Sequence, residues 1–369
     1  MPPKLSVVLH NNAHISIISK LPRAIAYLRL ISIIRRHQRQ TPVNAMQSSL
    51  SSLTECIKNE LLAVDELFRR ELASDIPCVN ALVKHVSRFR GKMLRPMLLL
   101  LAGKCAGELS DAHVTLATVV EMVHMATLVH DDVLDEAELR RKGATINHLR
   151  GNEAAVLLGD YLISHSYHLC SSLQSQFASR AIAHTTNQVC EGELLQIDNR
   201  NNLDLSEETY LRIITLKTAT LVAVCCALGA RFAGATDQQT SALETYGLSL
   251  GIAFQIQDDI LDLVGEENVV GKTLGIDIEK QKLTLPMVHF LKAAPAEHQA
   301  LLRSLLKSRD ADKIERIRNL LLPTNSIQYA RERADGLVNR ARAALATLPD
   351  NEARRVLDTM AEFVVARPL

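Results

Sequence analysis

Between Met97 and Leu285 the chain runs for 189 residues without a proline. Proline removes a backbone donor and clashes with the preceding turn, so its absence over such a length leaves continuous helix formation open. Apolar residues recur in this stretch at three- and four-residue spacing, and no short alternating segments are flanked by hairpin signals. From Thr218 to Ala230 there is no charge, between Lys217 and Arg231. That run is too short to cross a bilayer and reads as a buried central helix. Residues 263–284 (LVGEENVVGKTLGIDIEKQKLT) read as a loop or broken segment rich in glycine and charge. Helical spacing resumes after Pro286, with breaks at Pro323 and Pro349. Gly143, Gly151, Gly159, Gly192, Gly234, Gly265, Gly271 and Gly275 are expected at helix ends and turns. The expectation is an all-α, single-domain bundle of about ten or more helices.

Hydrophobic residues make up 47% of the chain, with no Trp and only 4% aromatics, so aliphatic side chains must fill the core. The seven cysteines (Cys56, Cys78, Cys105, Cys170, Cys190, Cys225, Cys226) form no C-x-x-C and no zinc spacing. An odd, scattered set reads as reduced thiols in a cytoplasmic setting. Charge is divided unevenly. The first 45 residues hold seven basic residues (Lys4, Lys20, Arg23, Arg29, Arg35, Arg36, Arg39) and no acid, and the first Glu is Glu55. Residues 1–45 are therefore set apart as a basic leader and 46–369 as the folded domain. The leader is a transit peptide for a mitochondrion or plastid, a disordered tail, or untranslated sequence ahead of a start at Met46. Its apolar stretch, Ala24 to Ile34, is too short to span a membrane and Arg29 interrupts it. The body has a net charge of −6 and lacks a basic stripe with interleaved aromatics, so nucleic acid is not an expected partner.

The pentapeptide Asp131-Asp132-Val133-Leu134-Asp135 recurs 127 residues later as Asp258-Asp259-Ile260-Leu261-Asp262. On a helix, residues i and i+4 lie above one another, so each motif clusters three carboxylates at one end of one face. Such a cluster repels itself unless a cation neutralises it. Oxygen-only ligands suit Mg²⁺, which completes its shell with water and phosphate oxygens. Two such motifs in apolar helical stretches point to facing helices that hold a diphosphate through more than one metal ion.

A diphosphate also needs basic residues, and four clusters qualify. Gly91-Lys92-Met93-Leu94-Arg95-Pro96 places Lys92 and Arg95 one turn apart if helical. Arg140-Arg141-Lys142-Gly143 follows the first Asp motif, Lys217-Thr218 opens the uncharged segment, and Lys272 and Lys282 follow the second motif. His124 lies seven residues, two helical turns, before Asp131. Each has a bland reading: a solvated turn, a helix end complementing its dipole, a snorkelling lysine, a satisfied core histidine. Their joint position around both acidic motifs favours the phosphate reading.

The stretches GKMLRP (91–96), EMVHMATLVHDDVLDEAELRRKG (121–143), GDYL (159–162), EGELLQ (191–196), KTATL (217–221), FQIQDDILD (254–262) and GKTLGIDIEKQKLTLP (271–286) resemble, in order, the trans-isoprenyl diphosphate synthases of the polyprenyl synthetase family. The resemblance covers residues 50 to 369 and implies the isoprenoid synthase fold around a central cavity. It implies that Asp131, Asp132, Asp135, Asp258, Asp259 and Asp262 bind Mg²⁺. Lys92, Arg95, His124 and Arg141 would hold the diphosphate of isopentenyl diphosphate. Arg140, Lys217, Lys272 and Lys282 would hold that of an allylic primer such as geranyl or farnesyl diphosphate. Thr218 and Gln255 would line the region where positive charge develops. A homodimer is also implied. Met93 stands where many members have Arg or Lys, a small departure.

The implied reaction is ionisation of the allylic diphosphate, attack by the isopentenyl double bond, and proton loss to the released diphosphate. Two rivals are disfavoured. A class I terpene cyclase needs no second diphosphate site and carries a different second metal motif, and a silent synthase subunit usually loses Asp from one motif. Product length follows from the residues before Asp131. Family members that stop at farnesyl or geranylgeranyl length carry an aromatic four or five residues before that Asp, and Thr127 and Ala126 stand there here. An isoprene unit is about as long as one helical turn, roughly 5 Å, so an open first turn admits further units. The expectation is a long-chain product of about six to ten units, a quinone side-chain precursor. Val123, Leu98 and Leu101 are candidates for the deeper floor. A shorter farnesyl or geranylgeranyl product is the alternative.

Overall fold

The computed structural model describes residues 54–88, 91–140, 143–265 and 274–366. The leader, Arg141 and Lys272 lie outside these residues. In chain order the helices are α1 (Lys58–Glu71), α2 (Pro77–Ser87), α3 (Leu94–Ala106), α4 (Asp111–Leu134), α5 (Ile146–Arg150), α6 (Asn152–Ser171), α7 (Gln176–Asp198) and α8 (Glu207–Ile214). A π-helical turn (Thr215–Ala219) leads into α9 (Thr220–Phe232) and then α10 (Asp237–Val264). The remainder is α11 (Ile276–Glu279), α12 (Leu285–Ala293), α13 (Ala296–Lys307), α14 (Lys313–Leu321), α15 (Ser326–Leu345) and α16 (Glu352–Val365). The all-α expectation holds. It has one small exception: β1 (Leu139–Arg140) pairs antiparallel with β2 (Gly143–Ala144) just after the first Asp motif. Periodicity could not show it, because two residues per strand are too few to alternate.

Burial sorts the helices. Nine of the thirteen residues of α3 and eleven of the thirteen of α9 are buried, so both are apolar all round and central. α9 packs on α3 and α10, α4 on α6, and α10 on α15. Two stretches, Asp111–Leu134 and Glu207–Phe232, are long and apolar enough to cross a membrane by composition, but 67% and 78% of their apolar windows are buried inside the protein. They are core helices.

Side-chain caps set several starts. Thr236 accepts from Gln239 N–H while the Gln239 side chain accepts from Thr236 N–H, a reciprocal box that opens α10. At the start of α4 the Ser110 N–H donates to His113 Nδ1 at 3.0 Å, and His113 Nε2 meets the Gly229 carbonyl at 3.1 Å. This buried histidine is a satisfied core residue that pins α4 to α9. Burial lowers its pKa.

The glycine expectation needs correction. Gly151, Gly234 and Gly275 do have positive φ at turns, but Gly159 and Gly192 lie inside helices. Their role is space. A Cβ on Gly192 would stand 2.5 Å from Lys217 N and 2.9 Å from the Leu216 carbonyl carbon. The converse case is Gly336 in α15, where an added Cβ meets nothing within 4 Å. Gly336→Ala should stabilise the protein by about 0.5–1 kcal/mol, because only the entropic cost of glycine is removed. A thermal melt that falls would contradict the open face.

Candidate active site

The two Asp motifs end two long helices, α4 and α10, as their spacing required. In the first, Asp131 is half-buried and Lys217 Nζ lies 3.9 Å from its Oδ2. Asp132 is buried, and Arg140 approaches its Oδ1 at 2.8 Å through both Nε and a terminal nitrogen. Arg140 is thus on the small hairpin and facing the motif, where the bland reading had it capping a helix end. The connection is held from below: Asn147 Nδ2 donates to the carbonyls of Asp132 and Ala137, and Thr145 Oγ1 to that of Ala137. Asp135 caps α4 and meets Lys280 Nζ at 3.1 Å and Lys282 Nζ at 3.2 Å, both on Oδ1.

In the second motif Asp259 is buried. Its Oδ2 accepts from the Tyr210 hydroxyl and its Oδ1 from Gln255 Nε2, both at 2.7 Å. Thr218 Oγ1 donates to Gln255 Oε1 at 3.2 Å, so one chain of hydrogen bonds joins the π turn to the motif. Asp262 Oδ2 accepts from Asp277 N–H at 3.1 Å, which fastens the segment before Lys282 to α10. Asp258 is half-buried. Lys217 links the halves. It pairs with Asp131 and with Glu193 of α7, and it lines a cavity together with Thr218, Gln255, Asp259 and Lys282.

A π turn carries Lys217 and Thr218 at that junction. The extra residue per turn displaces side chains relative to the helices on either side, a device found often at functional sites. Gly192 of α7 and Gly251 of α10 let both neighbours close on it, since a Cβ on Gly251 would lie 2.7 Å from Ala219 Cα.

The first basic cluster straddles a turn and the start of a helix, so the condition that would put its two cations one helical turn apart is not met. Residues 91–93 are not helical, Met93 is left-handed (φ 52), and α3 starts at Leu94. Lys92 is exposed ahead of the helix and Arg95 is in its first turn, so the two are not one helical turn apart. A side chain at a left-handed position carries strain that Gly would not. Arg95 Nε has no hydrogen-bond partner among the described residues. Burial pulls the Arg95 guanidinium below its ordinary value, with Cys225 and Glu121 opposing. His124 is half-buried on α4.

The electrostatics differ along the first motif. Burial raises the Asp131 carboxyl against the pull of Lys217, and raises Asp132 against that of Arg140. Asp135 is lowered instead: burial works to raise it, but Lys282 and Lys280 outweigh that. Asp259 stands well above the usual carboxylate range through burial and the nearby Asp277, despite the bonds from Tyr210 and Gln255. Lys217 is raised: burial lowers it, but Asp131 and Glu193 win. Among the described residues no three His, Cys, Asp or Glu are gathered as a ready metal cluster. The carboxylates of the first motif lean on lysines and arginine instead, and Asp259 and Asp262 on neutral donors. The donors are oxygen-only, and Asp131 and Asp132 stay raised with a cation beside each, so a hard divalent ion fits there.

Reasoning from sequence missed Glu193, Tyr210, Arg200 and Lys280. Arg200 lines the same cavity and its Nε lacks a hydrogen-bond partner among the described residues. Glu193 and Lys280 lay within stretches already singled out, and only their contacts distinguish them. Nothing in the sequence marks Tyr210.

The polyprenyl synthetase family model matches residues 76–321. An octaprenyl diphosphate synthase of Escherichia coli is 34% identical over 320 residues, spanning 86% of this chain and 99% of that protein. The crystal structure of a decaprenyl diphosphate synthase from Rhodobacter capsulatus superposes with a TM-score of 0.82 at 36% identity, covering 86% of this chain and 98% of the other. A polyprenyl synthase from Caulobacter crescentus, complexed with calcium and isoprenyl diphosphate, gives 0.80 at 33% identity, covering 86% and 97%. The chain belongs to the polyprenyl synthetase family. It is a prenyltransferase with the all-α isoprenoid synthase fold.

Proposed function

We propose that this prenyltransferase is a long-chain all-trans polyprenyl diphosphate synthase. It condenses isopentenyl diphosphate head-to-tail onto a geranyl or farnesyl primer, and its product serves quinone side chains. The observation that carries the reading is Lys217, which stands 3.9 Å from Asp131 and shares a cavity with Asp259. Two sets of carboxylates with cations between them match the charge pattern of a diphosphate held by metal.

Asp131, Asp132, Asp135, Asp258, Asp259 and Asp262 would hold Mg²⁺, which would supply Lewis-acid stabilisation of the leaving diphosphate. Lys217, Arg140 and Lys282 add fixed positive charge at the same oxygens, aimed where negative charge grows as the C–O bond breaks. Lys92, Arg95 and His124 hold the second diphosphate. The hydroxyl of Thr218 and the amide of Gln255 are oriented by their bonds to each other and to Asp259, and line the path of the allylic cation. Proton loss goes to the released diphosphate. Apolar α3, α4 and α9 exclude water from the cation.

The long product rests on Ala126, which is fully buried, and on Thr127, whose hydroxyl is turned back to the His124 carbonyl at 2.8 Å. Val123, Leu98 and Leu101, the candidates for the floor, are buried too, on α4 and α3. A homodimer fits the exposed Leu149, Val156, Leu157, Phe177 and Leu194 on the successive helices α5, α6 and α7. A cytoplasmic setting fits the cysteines, all seven of them free.

The test mixes purified protein and radiolabelled isopentenyl diphosphate with geranyl or farnesyl diphosphate, with and without EDTA, and separates the dephosphorylated products by chromatography. Products of about six to ten units are expected, and none in EDTA. Ala126→Tyr should shift them to about three or four units by placing a ring across the path one turn from the metal site. A wild type that already stops at farnesyl would refute the small-residue argument.

A further inference from the structure

Asp135 already has two ammonium groups on one oxygen, Lys280 and Lys282. Lys280 also donates to the Asp135 backbone carbonyl at 2.5 Å. The two lysines converge because the residue between them, Gln281, is left-handed (φ 56). With Gln281 N–H bonded to the Ile278 carbonyl and Lys282 N–H to that of Asp277, the chain reverses and both side chains reach the same carboxylate. Both lysine side chains are largely covered, at 25% and 14% exposure, so solvent screens them weakly.

Around the first motif, Asp131, Asp132, Asp135 and Glu193 are matched by Lys217, Arg140, Lys280 and Lys282. Those charges balance within the first motif, where the carboxylates of the second are not counted. A divalent cation entering alone therefore meets the most resistance at Asp135, where it must displace or lie against two ammonium groups. A diphosphate brings the compensating negative charge.

We infer that Lys280 makes metal loading depend on the diphosphate: it occupies Asp135 in the free enzyme, competes there with a divalent cation, and yields when a diphosphate arrives. The inference rests on the reading of Asp131, Asp132 and Asp135 as metal ligands. Lys280 is a positioning residue that acts through Asp135, and charge rather than shape is what it contributes.

The probe is Mn²⁺, titrated into the purified full chain and followed by electron paramagnetic resonance of the free ion. Calorimetry with inorganic pyrophosphate at excess Mn²⁺ measures the metal–diphosphate complex. Lys280→Gln should bind Mn²⁺ alone about tenfold more tightly than the wild type, since one of two nearby positive charges is gone. Its affinity for pyrophosphate with Mn²⁺ should be unchanged or weaker. Lys280→Arg, which keeps the charge, should stay within about twofold of the wild type for Mn²⁺ alone. Circular dichroism confirms that each variant is folded. Equal or weaker Mn²⁺ binding by Lys280→Gln overturns the inference while leaving the metal reading in place. So does an Arg variant that tracks the Gln variant. Absence of Mn²⁺ binding in every protein, with and without pyrophosphate, overturns the metal reading and this inference together.

Discussion

Asp131→Ala and Asp258→Ala each lower turnover by on the order of a thousandfold or more, with the helical circular dichroism signal intact. The size follows from the proposed function, in which each substitution removes a metal ligand acting on a charge that develops only as the allylic bond breaks, in a site that excludes water. The fold survives because neither residue packs in the apolar core; both are half-buried at helix ends. A companion variant separates binding from stability. Burial raises the Asp131 carboxyl above its unfolded value, so the folded chain holds its proton more tightly than the unfolded chain does. Stability from this group is therefore present at low pH and is lost as pH rises through the folded value; at pH 7 the ionised form is a cost. Asp131→Asn should accordingly raise the metal-free melting temperature while abolishing turnover. Melting in EDTA and a turnover assay check both halves. Near-native turnover in either alanine variant would remove that motif from the metal set, and a lower melting temperature for Asp131→Asn would refute the burial cost.

The second large effect is expected from a residue that carries no side chain at all. In Gly192→Ala the new methyl lies 2.5 Å from Lys217 N and 2.8 Å from Leu216 Cβ. Lys217 N is backbone, so no side-chain rotation relieves the clash, and α7 must move away from the π turn. Overpacking of this kind costs about 1–3 kcal/mol. Lys217 and Thr218 move with the turn, and a displacement of about 1 Å at a reacting centre costs on the order of a hundredfold in rate. The measurement is turnover and thermal melting side by side. A variant that loses stability but keeps its rate would show that the π turn does not set the position of Lys217.

Much of the site was legible because its signals are local. Three carboxylates at i, i+1 and i+4 fall at one end of a helix wherever the segment is helical, and the apolar spacing made both segments helical, though among the described residues no three are gathered as a ready metal cluster. Lys217-Thr218 next to an uncharged run, and Lys282 after the second motif, were legible from position in the chain. Other features depend on partners. The sequence left Lys92 and Arg95 either one helical turn apart or in a turn ahead of a helix, and the left-handed backbone at Met93, which starts α3 only at Leu94, decided for the turn. Gly192 looked like a helix end because glycine disfavours helix interiors, and only the close approach of the π turn explains it. Tyr210 carried no signal, since its role is to donate one hydrogen bond to a carboxylate 49 residues away.

Periodicity, the missing prolines and the repeated Asp motif determined by themselves that the chain is a helical bundle with two acidic helix ends. These are properties of neighbouring residues, written in spacings of three and four. Tertiary structure decided which cation serves which carboxylate. Lys280 and Lys282 reach Asp135 across 145 and 147 residues of chain, and Lys217 reaches Asp131 from another helix. An ammonium group neutralises whichever carboxylate packing brings within a few ångströms, and helix spacing carries no record of that distance.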